Sequence, residues 1–504
     1  MKKILILALL LSVIMLSSCS LFKNSTTKTH NLDDISTTSK IDSNISTSTK
    51  TNDKTITNPV DHVNFVEIND THGQLVFENG KMGLSEVGST IKYLEEEDGL
   101  PYIKIVNGDL FQGTYVSRMT YGKCFIDALN ILDFDFMVMG NHEFDWTLDK
   151  IAVYFDGDET NGEANFPILC CNLKDKNTES RPDWVKAYTI INYGDVKVGI
   201  IGAIGGTLES SISTDSLQDY YFDTPDEYIK EYAKELRGLG CNIVCLSIHD
   251  YDPEYERIRT FSADERIDAI FFGHTHQSLD GYYNREYDNY NIPYVQSYTK
   301  NGDIGTIRIN LDNDKNPNNA TICHYNLNYY YEFVNNTIPE LDDMIRTNYQ
   351  TIIDKGNKVL MHINVLDYDT KKEVADLAID ALLDLYESDV CILNMGGVRD
   401  TLHSEEVRTS DLFEIYPFDN NICILEMTGL NLNLYFNTLK DIYYNESFDL
   451  STVDEDKVYK LVTINYVANK NNQSVKTYCI NNEFTTLDDI MRDVFIEYVD
   501  NHYE

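Results

Sequence analysis

Positive charge is what this chain has least of. Its 504 residues hold 41 Lys and Arg against 82 Asp and Glu, a formal net charge of −41. Such a shortage argues against a nucleic-acid-polymer surface, which needs Lys/Arg patches to neutralise phosphates. It favours solubility outside a cell and repels anions at long range. No Cys pair is spaced C-x-x-C, which disfavours a zinc ribbon. No fixed-period repeat runs along the chain, and past the first residues no apolar run reads as a membrane span. One compact core does not suit this length, and two domains are expected.

The N-terminus has the short positive and apolar pattern of an export signal: Lys2-Lys3, then Ile4 to Leu16. Leu16-Ser17-Ser18-Cys19 resembles a bacterial lipobox. The resemblance implies a lipoprotein signal peptide over 1–18, lipid on Cys19, and a place in the cell envelope, facing outward and touching the membrane through that lipid only. Residues 19–60 are rich in Ser, Thr and Asn and poor in large apolar side chains, the composition of a flexible tether. Without Cys19, nine of the ten Cys remain. Export would permit disulfides, but several Cys lie in apolar runs that suit buried thiols.

From His62 onward, apolar β-branched runs alternate with helical patterns. Strands are expected at 63–68, 102–106, 134–139, 242–247 and 267–272, and helices at 83–97 and 224–239. A polar cluster starts where each of these strands stops: Asp70-Thr71-His72, Gly108-Asp109, Gly140-Asn141-His142-Glu143, His249, and Gly273-His274-Thr275-His276. In sheets covered by helices on both faces, ligands bind beyond strand ends. Scattered segments can thus bring Asp, Asn and His oxygens and nitrogens to one cleft, enough to hold two divalent cations. In extended backbone Asp70 and His72 would point the same way. A carboxylate such as Asp109 has two oxygens and can bridge two ions. The mixed donor set, free of thiolate, suits Zn, Mn, Fe or Co better than Mg or Ca.

After a helical connector at 334–357, a second domain is expected over 358–504. It should hold a helix at 372–386, a strand at 389–394, another at 422–427, a helix from 430 to about 443 and a strand near 459–467.

The clusters, in this order, resemble the calcineurin-like metallophosphatases, and more narrowly their secreted 5′-nucleotidase branch. Asn394-Met395-Gly396-Gly397-Val398-Arg399 and Tyr416-Pro417-Phe418-Asp419-Asn420 are similar to that branch's substrate-binding motifs. The resemblance implies an α/β fold: a four-layer αββα metallophosphatase domain over 61–333 and an α/β nucleotidase substrate domain after the connector. It implies that Asp70, His72 and His276 hold one metal, that Asn141, His249 and His274 hold the other, and that Asp109 bridges both. His142, oriented by Asp145, would stabilise the phosphoryl transition state or protonate the leaving oxygen. Asn394, Gly397 and Arg399 would bind substrate, with Phe418 and Tyr466 stacking on a base. The implied activity removes phosphate from nucleoside 5′-monophosphates.

The chain departs from that pattern in places. The family's small residue and Gly beside the later His are replaced here by Ser247-Ile248-His249-Asp250. A Gly-Gly-Asp-Gly-like ribose turn is replaced by Asn469-Lys470-Asn471-Asn472, and an Arg ahead of the helix near Lys372 is missing. These changes keep two alternatives open. The same metals could act on 2′,3′-cyclic nucleotides, nucleotide-sugars or other small phosphoesters. Outside enzymes, the alternative is a nucleoside-binding surface lipoprotein.

Overall fold

A computed structural model describes residues 53–57, 59–78, 80–212, 216–326, 337–469 and 475–503. The signal peptide, Cys19 and the tether up to residue 52 lie outside the described residues, as do Lys470, Asn471 and Asn472. No helix among the described residues is long and apolar enough to cross a membrane.

Two sheets face each other in the first domain. One has seven strands in the order 317–326, 303–311, 62–68, 102–107, 136–138, 168–169, 185–186. The other has six, in the order 279–284, 291–296, 269–271, 243–249, 196–204, 188–193. Alternation along each strand sorts the apolar side chains into layers. Val63, Phe65, Ile103, Ile105, Phe136 and Val138 meet Val198, Ile200, Ile243, Cys245 and Phe271 between the sheets. Val66, Ile68, Val106 and Met137 face outward onto Leu84, Val87 and Ile91 of helix Leu84–Asp98. Behind the second sheet, Ile201, Val244, Leu246 and Ile248 pack on Ile229, Ala233 and Leu236 of helix Asp226–Gly238. Helix, sheet, sheet, helix is the four-layer order expected.

The central strands pair in parallel, so their C-terminal ends open on one side of the sandwich. Strands 303–311 and 317–326 on one sheet, and 279–284 and 188–193 on the other, pair antiparallel at the edges. The expected tether boundary at residue 60 falls too late. Lys54 and Val60 are buried, Lys54 N–H donates to Asn192 O at 2.9 Å, and Lys54 Nζ pairs with buried Asp135 at 2.8 Å. The chain is therefore already docked by Lys54, through a buried ion pair that composition does not reveal.

Past the connector, where helices Pro339–Asn348 and Gln350–Gly356 are described, a five-stranded sheet runs in the order 442–444, 390–394, 458–464, 421–428, 485–490. Helix Lys371–Tyr386 begins with a reciprocal cap: Thr370 N–H donates to Glu373 at 2.9 Å while Thr370 Oγ1 accepts Glu373 N–H at 3.3 Å. Two elements end sooner than the apolar pattern implies. Helix 429–436 stops at Asn437, and a turn through Asp441 (φ 54°) leads into strand 442–444. Strand 458–464 gives way to a short helix, Asn465–Asn469, which carries Tyr466. The two domains meet across a cleft. Lys81 and Lys300 of the first reach Asp400 of the second at 3.3 and 3.0 Å, and Lys81 also bonds the Glu414 carboxylate.

Candidate metal centre and substrate cleft

His249 is the last residue of its parallel strand, and every other proposed donor follows the C-terminal end of its strand, most of them not through extended backbone. Asp70, His72, Asp109, His274 and His276 all have φ between +47° and +76°. Left-handed backbone is uncommon outside glycine and costs energy that surrounding bonds must offset. Asp70 and His72 therefore share a direction because both lie in a left-handed turn, not because a strand alternates. Glycine gives the donors room. A Cβ on Gly108, itself at φ +80°, would lie 2.3 Å from His249 Nδ1, and one on Gly140 would lie 2.3 Å from Asp109 Oδ1.

Two groups of donor atoms result, each within 4.8 Å internally: Asp70, His72, Asp109 and His276, and Asp109, His249 and His274. Asp109 belongs to both. Asn141 joins the second group, its Oδ1 lying 2.9 Å from His274 Nδ1.

Hydrogen bonds hold one side of Asp70, Asp109 and His249 and leave the other bare. Asp70 Oδ2 accepts from Asn69 Nδ2 at 2.5 Å and from His274 N–H at 2.9 Å. Its Oδ1 has no hydrogen-bond partner and faces His276, His72 and His249 Nε2 at 3.4, 3.9 and 4.0 Å. Asp109 Oδ1 accepts from His142 N–H at 2.8 Å, while Oδ2 has no partner and faces His249 Nε2 at 3.1 Å. His249 Nδ1 lies 2.8 Å from Asn107 O, and His72 Nδ1 lies 3.2 Å from Gln112 O. A carbonyl can only accept, so each Nδ1 is the donor, and in the neutral ring the lone pair is left on Nε2, which faces Asp109 in His249 and the Nε2 of His276, 2.9 Å away, in His72. Buried lone pairs facing one another are costly unless a cation lies among them. The donor set thus fits two divalent ions sharing Asp109.

Without cations the charges balance otherwise. Burial opposes a proton on His249, but Asp109 and Asp70 outweigh it and hold its pKa at about 10. Burial and His249 together push His274 down to about 4. Filling the site would therefore displace a proton from His249.

Glu143 and Asn107 hold this arrangement, and sequence reading gave neither a role. Glu143 accepts the backbone N–H groups of Asp109, Leu110 and Gly140 at 2.9, 2.8 and 2.7 Å, tying the two donor loops together. Burial and Asp109 push its pKa up to about 7. A carboxylate directly after Asn141-His142 was the available signal. Asn107 bonds Ser247 and Ile248 O besides holding His249, and nothing in its sequence neighbourhood marks it.

His142 opens a short 3-10 turn, and its Nδ1 lies 2.8 Å from Asp145 Oδ2. Burial disfavours an imidazolium there, yet the Asp145 and Asp109 carboxylates raise its pKa above the ordinary value. His142 lies on a cleft of about 980 Å³ that joins the donor cluster to the second domain. Asn394, Arg399, Phe418 and Tyr466 line the same cleft. The Phe418 ring lies 5.7 Å from that of His142. Gly397 does not reach the cleft. It sits behind, where a Cβ would come 2.7 Å from Asn394 Oδ1, and Gly396 lines the cleft instead. Although the expected Arg ahead of the helix is missing, Lys371 at its first turn lines the cleft.

Comparison with known proteins agrees with this arrangement. Residues 63–278 match the family described as Calcineurin-like phosphoesterase, and residues 364–447 match the 5′-nucleotidase, C-terminal domain. Endonuclease YhcR of Bacillus subtilis (strain 168) is 24% identical over 429 residues, covering 78% of this chain and 34% of that protein. A snake venom 5′-nucleotidase of Gloydius brevicauda is 24% identical over 376 residues, covering 65% of this chain and 60% of that protein. The chain thus spans less than two thirds of either relative's length. Among solved structures, a 5′-nucleotidase precursor from Thermus thermophilus shares the fold, with a TM-score of 0.68 at 17% identity over 87% of this chain and 96% of that one.

Proposed function

The chain belongs to the 5′-nucleotidase-like calcineurin-like phosphoesterases, and from that premise we propose that it is a metal-dependent phosphohydrolase that removes phosphate from nucleoside 5′-monophosphates. One observation carries the reading: a single cleft holds the paired donor clusters on one wall and Arg399, Phe418 and Tyr466 on the other. Two bound divalent cations supply charge to stabilise a phosphoryl group in transfer and to activate water. The chain's own residues do the rest. Asp70, His72 and His276 would hold one ion, Asn141, His249 and His274 the other, and Asp109 would serve both. Arg399 forks onto anionic oxygens of the substrate. Phe418 and Tyr466 take the base between them, each contact contributing about 1–3 kcal/mol. His142, its Nδ1 kept on Asp145, presents its remaining ring nitrogen to the reacting group.

Purified protein supplied with Mn or Zn should release phosphate from AMP. Chelation should stop this, and returning the metal should restore it. Absence of chelator-sensitive release from every nucleotide tried overturns the proposal. An AMP advantage in kcat/KM below about tenfold over a 2′,3′-cyclic nucleotide or a nucleotide-sugar overturns the monophosphate preference, since tenfold is worth only about 1.4 kcal/mol.

The proposal extends to place. Lys2-Lys3, the apolar stretch to Leu16 and Leu16-Ser17-Ser18-Cys19 support a lipid-anchored protein at the outer face of the cell envelope. Cells fed a tagged fatty acid should label the wild-type chain and not Cys19→Ala. Equal labelling of both counts against the anchor.

A further inference from the structure

The loop that presents Phe418 is gripped from both sides of the cleft through its neighbour Asp419. Within the second domain, Asp419 Oδ1 accepts from Arg492 Nη2 at 2.6 Å. Arg492 is 1% exposed, donates Nη1 to Tyr416 O and Pro417 O at 3.3 and 3.0 Å, and lies 3.9 Å over the Phe413 ring. That guanidinium fixes the backbone of the loop. From the first domain, Arg118 brings Nε and Nη2 to Asp419 Oδ2, at 2.7 and 2.5 Å. Arg118 belongs to helix Tyr115–Thr120, on the segment that follows donor Asp109. The ion pair therefore joins the Asp109 segment to the Phe418 loop, and Phe418 lies beside His142.

We propose that Arg118 is a positioning residue for base recognition: by holding Asp419 across the cleft it sets the Phe418 ring against the metal-bearing wall, so that base and phosphate are held in register. This inference rests on the nucleotide reading of the cleft. An ordinary surface ion pair contributes about 0–1 kcal/mol to stability, and its loss would act on all substrates alike or on none. Here the carboxylate keeps its buried partner Arg492 when Arg118 is removed. The loop stays folded, and only the link between the two walls is lost.

The test compares AMP with p-nitrophenyl phosphate, a phosphoester without a base. Arg118→Met should raise KM for AMP about tenfold, with p-nitrophenyl phosphate hydrolysis within about twofold of wild type. Arg118→Lys, which keeps the charge and loses the fork, should fall between. Raising salt from about 0.05 to about 0.5 M should move wild-type KM for AMP toward that of the Met variant, because the pair is partly exposed and screened. Parallel losses on both substrates, or no loss on AMP, overturn the inference while leaving the nucleotide reading intact. A wild-type enzyme that hydrolyses p-nitrophenyl phosphate and not AMP overturns both.

Discussion

Asp109→Asn should lower kcat/KM for AMP by about 10³-fold or more and take bound metal below two equivalents per chain. Asp109 is the one side chain present in both donor groups. Its Oδ1 is occupied by His142 N–H, so Oδ2 alone faces His249 and the interior of the site. An amide there removes the negative charge and offers either one carbonyl or an N–H pair, so two cations lose their shared ligand together. The structural bonds survive: Glu143 still accepts Asp109 N–H and Leu110 N–H. The variant should fold, with wild-type circular dichroism. Its thermal midpoint should no longer rise when Mn or Zn is added, because an ion stabilises the native state only as far as it binds it. Elemental analysis, the thermal shift and phosphate release check three aspects of one claim. Two metal equivalents together with activity within tenfold of wild type would show that Asp109 bridges nothing.

How much of this site can be read without coordinates follows from where the information sits. Strand ends are visible because β-branched runs such as Ile103-Lys104-Ile105-Val106 stop abruptly at Asn107-Gly108-Asp109, and in a parallel sheet every such stop opens on the same side. Five loops could therefore be assigned to one cleft from a one-dimensional pattern. The left-handed backbone of the donors is not visible that way. Asp, Asn and His tolerate positive φ somewhat better than other residues, but here closure with distant loops imposes it: Asp70 N–H reaches Gly108 O at 3.0 Å, and His72 N–H reaches Asp109 O at 3.0 Å. Glu143 and Asn107 act through contacts with backbone 33 and 141 residues away. Lys54 is hidden for the same reason, its partner Asp135 lying far along the chain. The antiparallel edges from Leu279 to Asn326 alternate polar and apolar residues too irregularly to stand out, and pairing rather than composition defines them. In the second domain, apolar periodicity locates helix 371–386 well, because a capping box and a continuous buried face coincide there. It overruns at Tyr466, where a tyrosine that suits a strand falls in the helix opened by Asn465 instead.

Replacing His142 by asparagine should reduce kcat for AMP by about 10²- to 10³-fold while metal content and KM change little. Asparagine is the informative substitution because its amide nitrogen can stand near the position of Nδ1 and keep the bond to Asp145. His142 N–H would still hold Asp109 Oδ1 through the backbone. What disappears is the second ring nitrogen, the one turned from Asp145. The leaving group then separates the two roles open to it. If His142 gives a proton to the leaving oxygen, p-nitrophenyl phosphate, whose phenolate leaves without help, should lose far less than AMP. If His142 stabilises charge on the phosphoryl oxygens, both substrates should fall by the same factor. Asp145→Asn should follow the same substrate pattern at about tenfold, because it removes the carboxylate that raises the His142 pKa and leaves the ring in place. A His142→Asn enzyme that binds two metals and turns AMP over within about threefold of wild type would remove His142 from the chemistry altogether. The cleft would then rely on the cations and Arg399 alone to stabilise the reaction.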